Sequence, residues 1–338
     1  MNSTGVRIAA VLAAVLVTAL LTAPAALATP VCTDDYMGGP PRELCGGRVF
    51  PEAAGSVDYV RYLPDESGFI EYQHGLEYLE QLYPRWISVF TLSELYGEDA
   101  VSAGADDIFP YDEADTGDGY DIFVVKVTDH EVPDDGKQTM LFSLSVHGDE
   151  RGGLEGSVRA IEDLAVAAED GGTISDGVEG YESTTGVEPE IHEYEVADVL
   201  AQEAVYFVDY NVDGWVTGEV NDPSGGAPFY TRGNFRGTDL NRQMPTIGRI
   251  NASRNPLTES EMLYGHRHMH EVAEQGIGGL MAYGADIHGE SQSRAWADIM
   301  YPAGQFDSIK HRQLMAIAER TKSVMDDTLF LGLVDEGE

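Results

Sequence analysis

Residues 141–150 have the sequence Leu-Phe-Ser-Leu-Ser-Val-His-Gly-Asp-Glu. The apolar run predicts a strand that is buried on both faces and therefore central in a sheet. It ends in His147, and Glu150 follows three positions later. Catalytic zinc sites typically combine two closely spaced ligands with a distant third, so this pair is a candidate for the first two. The alternative is a hydrogen-bonded histidine at a strand end, followed by an acid that caps the next helix.

Strands and helices are predicted in alternation along the rest of the chain. β-Branched and apolar runs favour strands, and apolar residues at helical spacing favour helices. The predicted strands cover residues 86–92, 120–128, 138–146 and 205–210, and the predicted helices cover residues 68–83, 157–168, 195–204 and 259–275. This order predicts an α/β fold: a mixed, mostly parallel sheet with helices on both faces and a site outside the strand ends. Residues 169–193 are predicted to be a long acidic surface loop.

The charge of the chain is extreme, because 59 Asp and Glu against 20 Lys and Arg give a net charge of −39. Nucleic acids and anionic membranes both need a basic surface, so neither is an expected partner. The acidic residues are typical of a solvated surface, and calcium sites are the alternative, for instance in the Gly/Asp-rich residues 103–119. The Asp-x-Asn-x-Asp-Gly run of residues 209–214 matches the first half of an EF-hand loop, but loop position twelve is Val220 rather than glutamate.

The N-terminus has the composition of a secretory signal peptide. Arg7 precedes an apolar run over residues 8–21, and the Ala-Leu-Ala of residues 26–28 is a suitable cleavage site. We therefore expect residues 1–28 to be removed and the protein to be secreted, without membrane association after cleavage. A retained anchor is the alternative.

Cys32 and Cys45 are the two cysteines of the sequence. In an exported protein, a pair this close along the chain favours a disulfide that closes a short loop. We expect this disulfide within an irregular N-terminal segment, residues 29–67, that precedes a folded domain over residues 68–338.

Cationic and amide side chains are concentrated in residues 230–242 of this otherwise basic-poor chain. They are Arg232, Asn234, Arg236, Asn241 and Arg242. Guanidinium groups bind carboxylates through two parallel hydrogen bonds, so the run indicates a site for an anionic ligand. The alternative is that these arginines pair with acids of the protein's own surface.

Three histidines, His266, His268 and His270, lie within the helix predicted over residues 259–275. His266 and His270 are four residues apart and share a helix face, with Glu274 one turn further on. We interpret the group as part of a solvated helix face, and incidental metal affinity is the alternative.

At these motifs the chain resembles the zinc carboxypeptidase family of the carboxypeptidase A type, from about residue 72 to about residue 304. His-x-x-Glu is matched at residues 147–150, and Asn-Pro-Asp-Gly is matched at residues 211–214 with valine in place of proline. Arg-x-Asn-x-x-Gly-x-Asp-Leu-Asn-Arg is matched at residues 232–242. Ser-Glu-Pro-Glu is matched loosely at residues 258–261, and Asp-x-His is matched at residues 286–288.

The resemblance implies that His147, Glu150 and His288 bind one zinc ion. Two histidines and a glutamate are the ligand set described for carboxypeptidase A itself. Zinc in such a site activates the attacking water and polarises the carbonyl group. By the same resemblance, Asp286 would orient one of the zinc ligands without contacting the metal itself.

The resemblance also implies a substrate, the C-terminus of a peptide or protein. Asn241 and Arg242 would hold its terminal carboxylate, and Arg232 would polarise the scissile carbonyl and stabilise the developing oxyanion. The expected function is therefore that of a secreted zinc metallocarboxypeptidase. The alternatives are a hydrolase of cell-wall murein peptides, a non-catalytic protein that binds zinc and peptide carboxylates, and a calcium-dependent structural module.

The family also needs a glutamate as general base on a late strand, beyond the third zinc ligand. After His288 the sequence predicts a helix over residues 308–325 and an acidic tail, without a strand that carries such a glutamate. Glu336 and Glu338 are therefore not assigned this role. We expect residues 68–338 to be a catalytic domain that is incomplete at its C-terminus.

Overall fold

In a computed structural model, the described residues are 48–50, 60–62, 70–104, 119–150, 152–175, 191–221, 231–245 and 256–288. The predicted signal peptide, Cys32 and Cys45, and most of the Gly/Asp-rich loop lie outside these residues. So do all residues after His288, with the helix predicted over residues 308–325.

The predicted helices and strands are present in the described residues with some shifted ends, and the structure adds two helices and several short strands that were not predicted. The helices are α1 (Tyr72–Leu82), α2 (Leu92–Tyr96), α3 (Gly152–Asp170), α4 (Val196–Leu200), α5 (Val212–Asn221) and α6 (Ser260–Gln275). The strands are β1 (Val60–Arg61), β2 (Ile70–Glu71), β3 (Ile87–Thr91), β4 (Phe123–Val127), β5 (Gln138–Leu144), β6 (Thr173–Ser175), β7 (Glu193–Glu195), β8 (Glu203–Asp209) and β9 (Tyr283–Ile287). A short 3₁₀ turn covers Leu240–Arg242.

The main sheet of the described residues has the strand order β3-β4-β8-β5-β9. β5 is paired in parallel with β8 on one side and with β9 on the other, whereas β4 is antiparallel to both β3 and β8. The predicted mixed α/β sheet is confirmed. Two of its four pairings are parallel rather than most of them, because the single reversed strand β4 lies between β3 and β8 and makes both of its pairings antiparallel.

The central strands are the most apolar ones. β8 is buried at every position, and β5 is buried at every position after Gln138. A strand with neighbours on both edges and helices on both faces needs apolar side chains in both directions, which explains the run that precedes His147.

Helices cover both faces of the sheet, as predicted. On one face, the ring of His268 in α6 lies 5.7 Å from the ring of Tyr206 in β8 and 6.0 Å from that of Phe90. On the other face, α3 approaches so closely that a Cβ on Gly153 would lie 3.1 Å from Ile287 in β9. The strand register places these two contacts on opposite sides.

Some predicted boundaries are wrong for identifiable reasons. The helix predicted over residues 195–204 ends at Leu200, because Glu203 and Ala204 pair with β5 as part of β8. Tertiary pairing here overrides the helical preference of glutamate and alanine. The ends of the segment predicted as an acidic loop form a two-stranded ribbon, in which Thr173 faces Glu195.

Residues 209–214, which resemble half of an EF-hand loop, form the end of β8 and the first turn of α5. Asp209, Asn211 and Asp213 are all fully buried. The Asp213 carboxylate accepts a hydrogen bond from the backbone N–H of Phe235. These side chains are structural, so the match does not indicate a calcium loop. None of the helices in the described part of the chain is long and apolar enough to cross a membrane.

Candidate metal centre

The candidate ligands follow the carboxyl ends of two adjacent parallel strands. His147 follows β5 and His288 follows β9, and the register pairs Leu144 with Ile287. Because the carboxyl ends of parallel strands meet at one edge of a sheet, the two histidines come together although 141 positions separate them. The centroids of their imidazole rings are 4.8 Å apart. Glu150 lies in the turn between β5 and α3, where its backbone N–H donates to the carbonyl oxygen of His147.

The Glu150 carboxylate lies between the two imidazoles. Its Oε1 is 2.9 Å from Nδ1 of His147, and its Oε2 is 2.7 Å from Nδ1 of His288. One ligand atom from each of the three residues lies within 4.8 Å of the others. His147 is 1% exposed and Glu150 is 7% exposed. Three converging donors that can be deprotonated, two of them buried and His288 partly exposed, match the requirements of a catalytic zinc site.

The outer nitrogen of each histidine faces a second carboxylate. His147 Nε2 lies 3.1 Å from Asp239 Oδ1, and His288 Nε2 lies 2.9 Å from Asp286 Oδ2. The Ser143 hydroxyl in turn donates to Asp286 Oδ1 over 2.6 Å. A carboxylate that accepts from one ring nitrogen leaves the lone pair of the other free for a metal ion. The Nδ1 atoms of both histidines hydrogen-bond to the Glu150 carboxylate, so a zinc ion would bind these two nitrogens and the carboxylate by replacing the protons between them.

Hydrogen bonding controls the ionisation of the cluster. Burial acts to raise the pKa of Glu150, but the hydrogen bonds with His147 and His288 outweigh it and hold the pKa well below its usual value. The hydrogen bond to Asp286, followed by that to Glu150, raises the pKa of His288 to about 10. The carboxylate is thus an anion at neutral pH, as a metal ligand must be.

Close backbone packing makes this convergence possible. A Cβ on Gly148 would lie 2.4 Å from the carbonyl carbon of Gly214 and 2.7 Å from the carbonyl oxygen of Thr231, so a glycine is needed directly after His147. Asn211 holds the same two backbone segments together, because its Nδ2 donates to the carbonyl oxygens of Val146 and Arg232.

Only part of the arginine-rich run faces the cluster. Arg232 Nη1 lies 3.2 Å from Glu150 Oε1, and its Nε lies 3.2 Å from Asp239 Oδ2. Its side chain remains 45% exposed. Arg236 instead lies 3.7 Å from Glu259, so for this residue the alternative of a pair with an acid of the protein itself is correct.

The residues expected to hold a carboxylate are next to the cluster. Asn241 and Arg242 lie in the 3₁₀ turn, and both are partly exposed. Asn241 Nδ2 is 3.2 Å from His288 Nε2. Arg242 Nη1 donates to the carbonyl oxygen of Asn241, which leaves other donors of the guanidinium available to a ligand.

Comparisons with known proteins found partial similarities to solved structures. The chain is similar to the carboxypeptidase A from Helicoverpa armigera (15% identity, TM-score 0.37), covering 64% of this chain and 44% of that chain. It is also similar to thrombin activatable fibrinolysis inhibitor (16% identity, TM-score 0.42), covering 71% and 52%, and to a putative carboxypeptidase A from Shewanella denitrificans OS-217 (21% identity, TM-score 0.34), covering 65% and 40%.

The chain spans about half or less of the length of these solved structures. No protein-family model matches the chain, and no curated protein matches it.

Two residues that contact the candidate site were not predicted from the sequence. Asp239 contacts both His147 and Arg232, and Ser143 holds Asp286 in place. The sequence context of each residue gave only a weak indication of these contacts. Asp239 is an acid between the glycine and the asparagine of the Gly-x-Asp-Leu-Asn-Arg motif, and Ser143 is one of two serines in the mainly apolar run of residues 141–146.

Proposed function

We propose that the protein is a secreted zinc metallocarboxypeptidase that removes residues from the C-termini of peptides or proteins. One observation carries the proposal: the cluster of His147, Glu150 and His288 lies directly beneath a guanidinium group, with Arg232 Nη1 3.2 Å from Glu150. A three-ligand metal site with a cation beside it suits the hydrolysis of a bond whose transition state is an oxyanion.

Zinc held by two imidazoles and a carboxylate supplies Lewis-acid chemistry, since it acidifies water and polarises a carbonyl oxygen. Residues around the cluster orient the ligands and limit the access of water. Asp239 and Asp286 fix the tautomers of His147 and His288, and burial of the cluster limits competition from bulk water.

The cationic residues account for substrate binding. Arg232 is partly exposed above the cluster and can turn its donors from Glu150 towards a carbonyl oxygen that gains negative charge. Asn241 lies beside Nε2 of His288, and the guanidinium of Arg242 contacts the backbone of Asn241, so an amide and a guanidinium can together bind the terminal carboxylate of the substrate. In a chain with a net charge of −39, such a cationic surface is selective for a small anion.

The decisive experiment compares two peptides of the same sequence, one with a free C-terminus and one with a C-terminal amide. We expect the zinc-loaded protein to release the last residue of the free peptide and to leave the amide intact. His147→Ala should lose both the tightly bound zinc and the activity. If His147→Ala retained one tightly bound zinc per chain, the site assignment would be wrong.

A second candidate is a protein that binds zinc and peptide carboxylates without hydrolysis. The resemblance expects the general base on a strand after His288, and residues 289–338, which lie outside the described part of the structure, are not predicted to contain a strand with a suitable glutamate. Tight zinc and peptide binding with no product would favour this binder. Faster cleavage of muropeptides than of ordinary peptides would favour the murein hydrolase.

A further inference from the structure

Helix α6 carries a pair of histidines on its outward side. The rings of His266 and His270 are one helical turn apart, with centroids separated by 4.5 Å and planes at 74° to each other. The buried side of α6 contains Glu261, Met262, Gly265, His268 and Val272. At about 100° per residue, His266 and His270 project away from that side. His270 is exposed and His266 is partly exposed.

The third histidine of this helix has a different role. His268 is 3% exposed, and its Nδ1 lies 3.2 Å from the hydroxyl oxygen of Tyr96. Burial lowers the pKa of His268 to about 4, so it is a neutral core residue. The prediction of a solvated helix face is therefore wrong for His268. It holds for His266 and His270, which face outward.

Neither His266 nor His270 has a hydrogen-bond or ion-pair partner among the residues that the structure describes, apart from the contact between the two rings. Both imidazoles can therefore turn their nitrogen atoms towards a common point. Burial, and then the proximity of His270, lower the pKa of His266, which favours the neutral form that binds metals.

Two histidines at positions i and i+4 of a helix form a known chelating geometry, the one that zinc peptidases use in His-Glu-x-x-His. Imidazole nitrogen prefers borderline divalent cations such as Zn²⁺, Ni²⁺ and Cu²⁺ over Ca²⁺ or Mg²⁺. The exposed Glu274 lies one turn beyond His270 and adds negative charge on the same side of the helix. The net charge of −39 further raises the local concentration of cations.

We propose that His266 and His270 form a second metal site, separate from the His147, Glu150 and His288 cluster, for a borderline divalent cation. Two protein ligands leave the other coordination positions open to water or to a donor from another molecule. The site therefore binds more weakly than the three-ligand cluster and exchanges its metal. It does not depend on whether the protein is a peptidase.

The test is a zinc titration of the full chain by isothermal titration calorimetry, repeated with Ni²⁺. We expect two classes of zinc site in the unmodified protein, one tight and one weak. His270→Ala and His266→Ala should each weaken the second class by roughly 100-fold, since a chelate becomes a single ligand, and should leave the tight class unchanged. His147→Ala should show the opposite pattern.

His74→Ala is the matched control, because His74 is also an exposed helical histidine but its neighbour four residues on is Tyr78. This variant should retain both classes. An unchanged weak class in both His266→Ala and His270→Ala would overturn the proposal. An equal loss in His74→Ala would overturn it as well, because it would show that any surface histidine accounts for the binding.

Discussion

His147 Nε2 lies 3.1 Å from Asp239 Oδ1, on the side of the ring opposite to Glu150. Asp239 is 92 residues away in sequence and belongs to the loop that also carries Arg232. One carboxylate thus couples the orientation of a candidate metal ligand to the position of the candidate oxyanion donor. The metal cluster and the substrate-binding loop are therefore parts of one hydrogen-bonded unit.

Asp239→Asn should weaken zinc binding by roughly 10- to 100-fold, the usual cost of losing the carboxylate behind a histidine ligand. Competition with a chromophoric chelator measures this affinity without any substrate. Asp198→Asn, which changes an exposed acid in α4, is the control and should have no effect. Equal affinity in the two variants would mean that the contact does not tune His147.

A substitution at Gly148 tests the contribution of close backbone packing to the metal cluster without changing any of the three candidate ligands. A Cβ there would lie 2.4 Å from Gly214, so Gly148→Ala should cost about 1–3 kcal/mol in the free energy of unfolding and displace His147. Urea unfolding and zinc stoichiometry measure the two effects. Gly152→Ala is the control, because nothing lies within 4 Å of a Cβ at that position. Unchanged stability in Gly148→Ala would contradict the close packing.

Arg232→Ala should reduce kcat/KM by roughly 10²- to 10³-fold, as expected for the loss of one oxyanion donor. Zinc stoichiometry should remain unchanged, because the guanidinium is not a ligand. Arg267→Ala removes an equally charged, exposed side chain from α6 and should retain full activity. If Arg232→Ala lost zinc but not turnover per bound zinc, its role would be to hold Glu150 rather than the substrate.

The buried carboxyl group of Glu203 predicts a pH-dependent stability. Glu203 is 0% exposed, and neither of its carboxylate oxygens has a hydrogen-bond partner in the described part of the chain. Burial raises its pKa from 4.5 to about 8. The folded state therefore holds this proton more tightly than the unfolded state. Its contribution to stability is full below pH 4.5 and is lost as the pH rises towards 8, by at most about 1.4 kcal/mol per pH unit.

Glu203→Gln should flatten this decline and make the protein more stable than the unmodified chain at pH 8. Urea unfolding at pH 5 and pH 8 is the measurement. Asp209, whose pKa is also raised to about 8 by burial, is unchanged in this variant, so part of the slope should remain. Glu98→Gln, at an exposed position, should leave the slope unaltered. An identical slope in Glu203→Gln would show that Glu203 is not protonated in the folded state.

His147 and Glu150 could be singled out from the sequence because an apolar, strand-like run ends at His147, whereas the set of three ligands was implied only by the resemblance to zinc carboxypeptidases. The resemblance indicated Asp286 as a partner of one ligand, but the contact between Asp239 and His147 could not be predicted, because it forms only when two loops fold against each other. The histidines of α6 illustrate the same limit. Their spacing shows that His266 and His270 share a face, but the burial of His268 depends on Tyr206 and Phe90 in two distant strands.

Arg242→Ala tests only the binding of the substrate's terminal carboxylate. The loss of one charge-assisted contact costs about 1.5–3 kcal/mol, so KM for a peptide with a free C-terminus should rise by roughly 10- to 100-fold. The binding of the amidated peptide should hardly change, because it lacks the charge that Arg242 recognises. Arg236→Ala is the matched control within the same loop, since Arg236 lies beside Glu259. If the free and amidated peptides lost affinity equally in Arg242→Ala, this side chain would be supporting the loop rather than binding the terminal carboxylate.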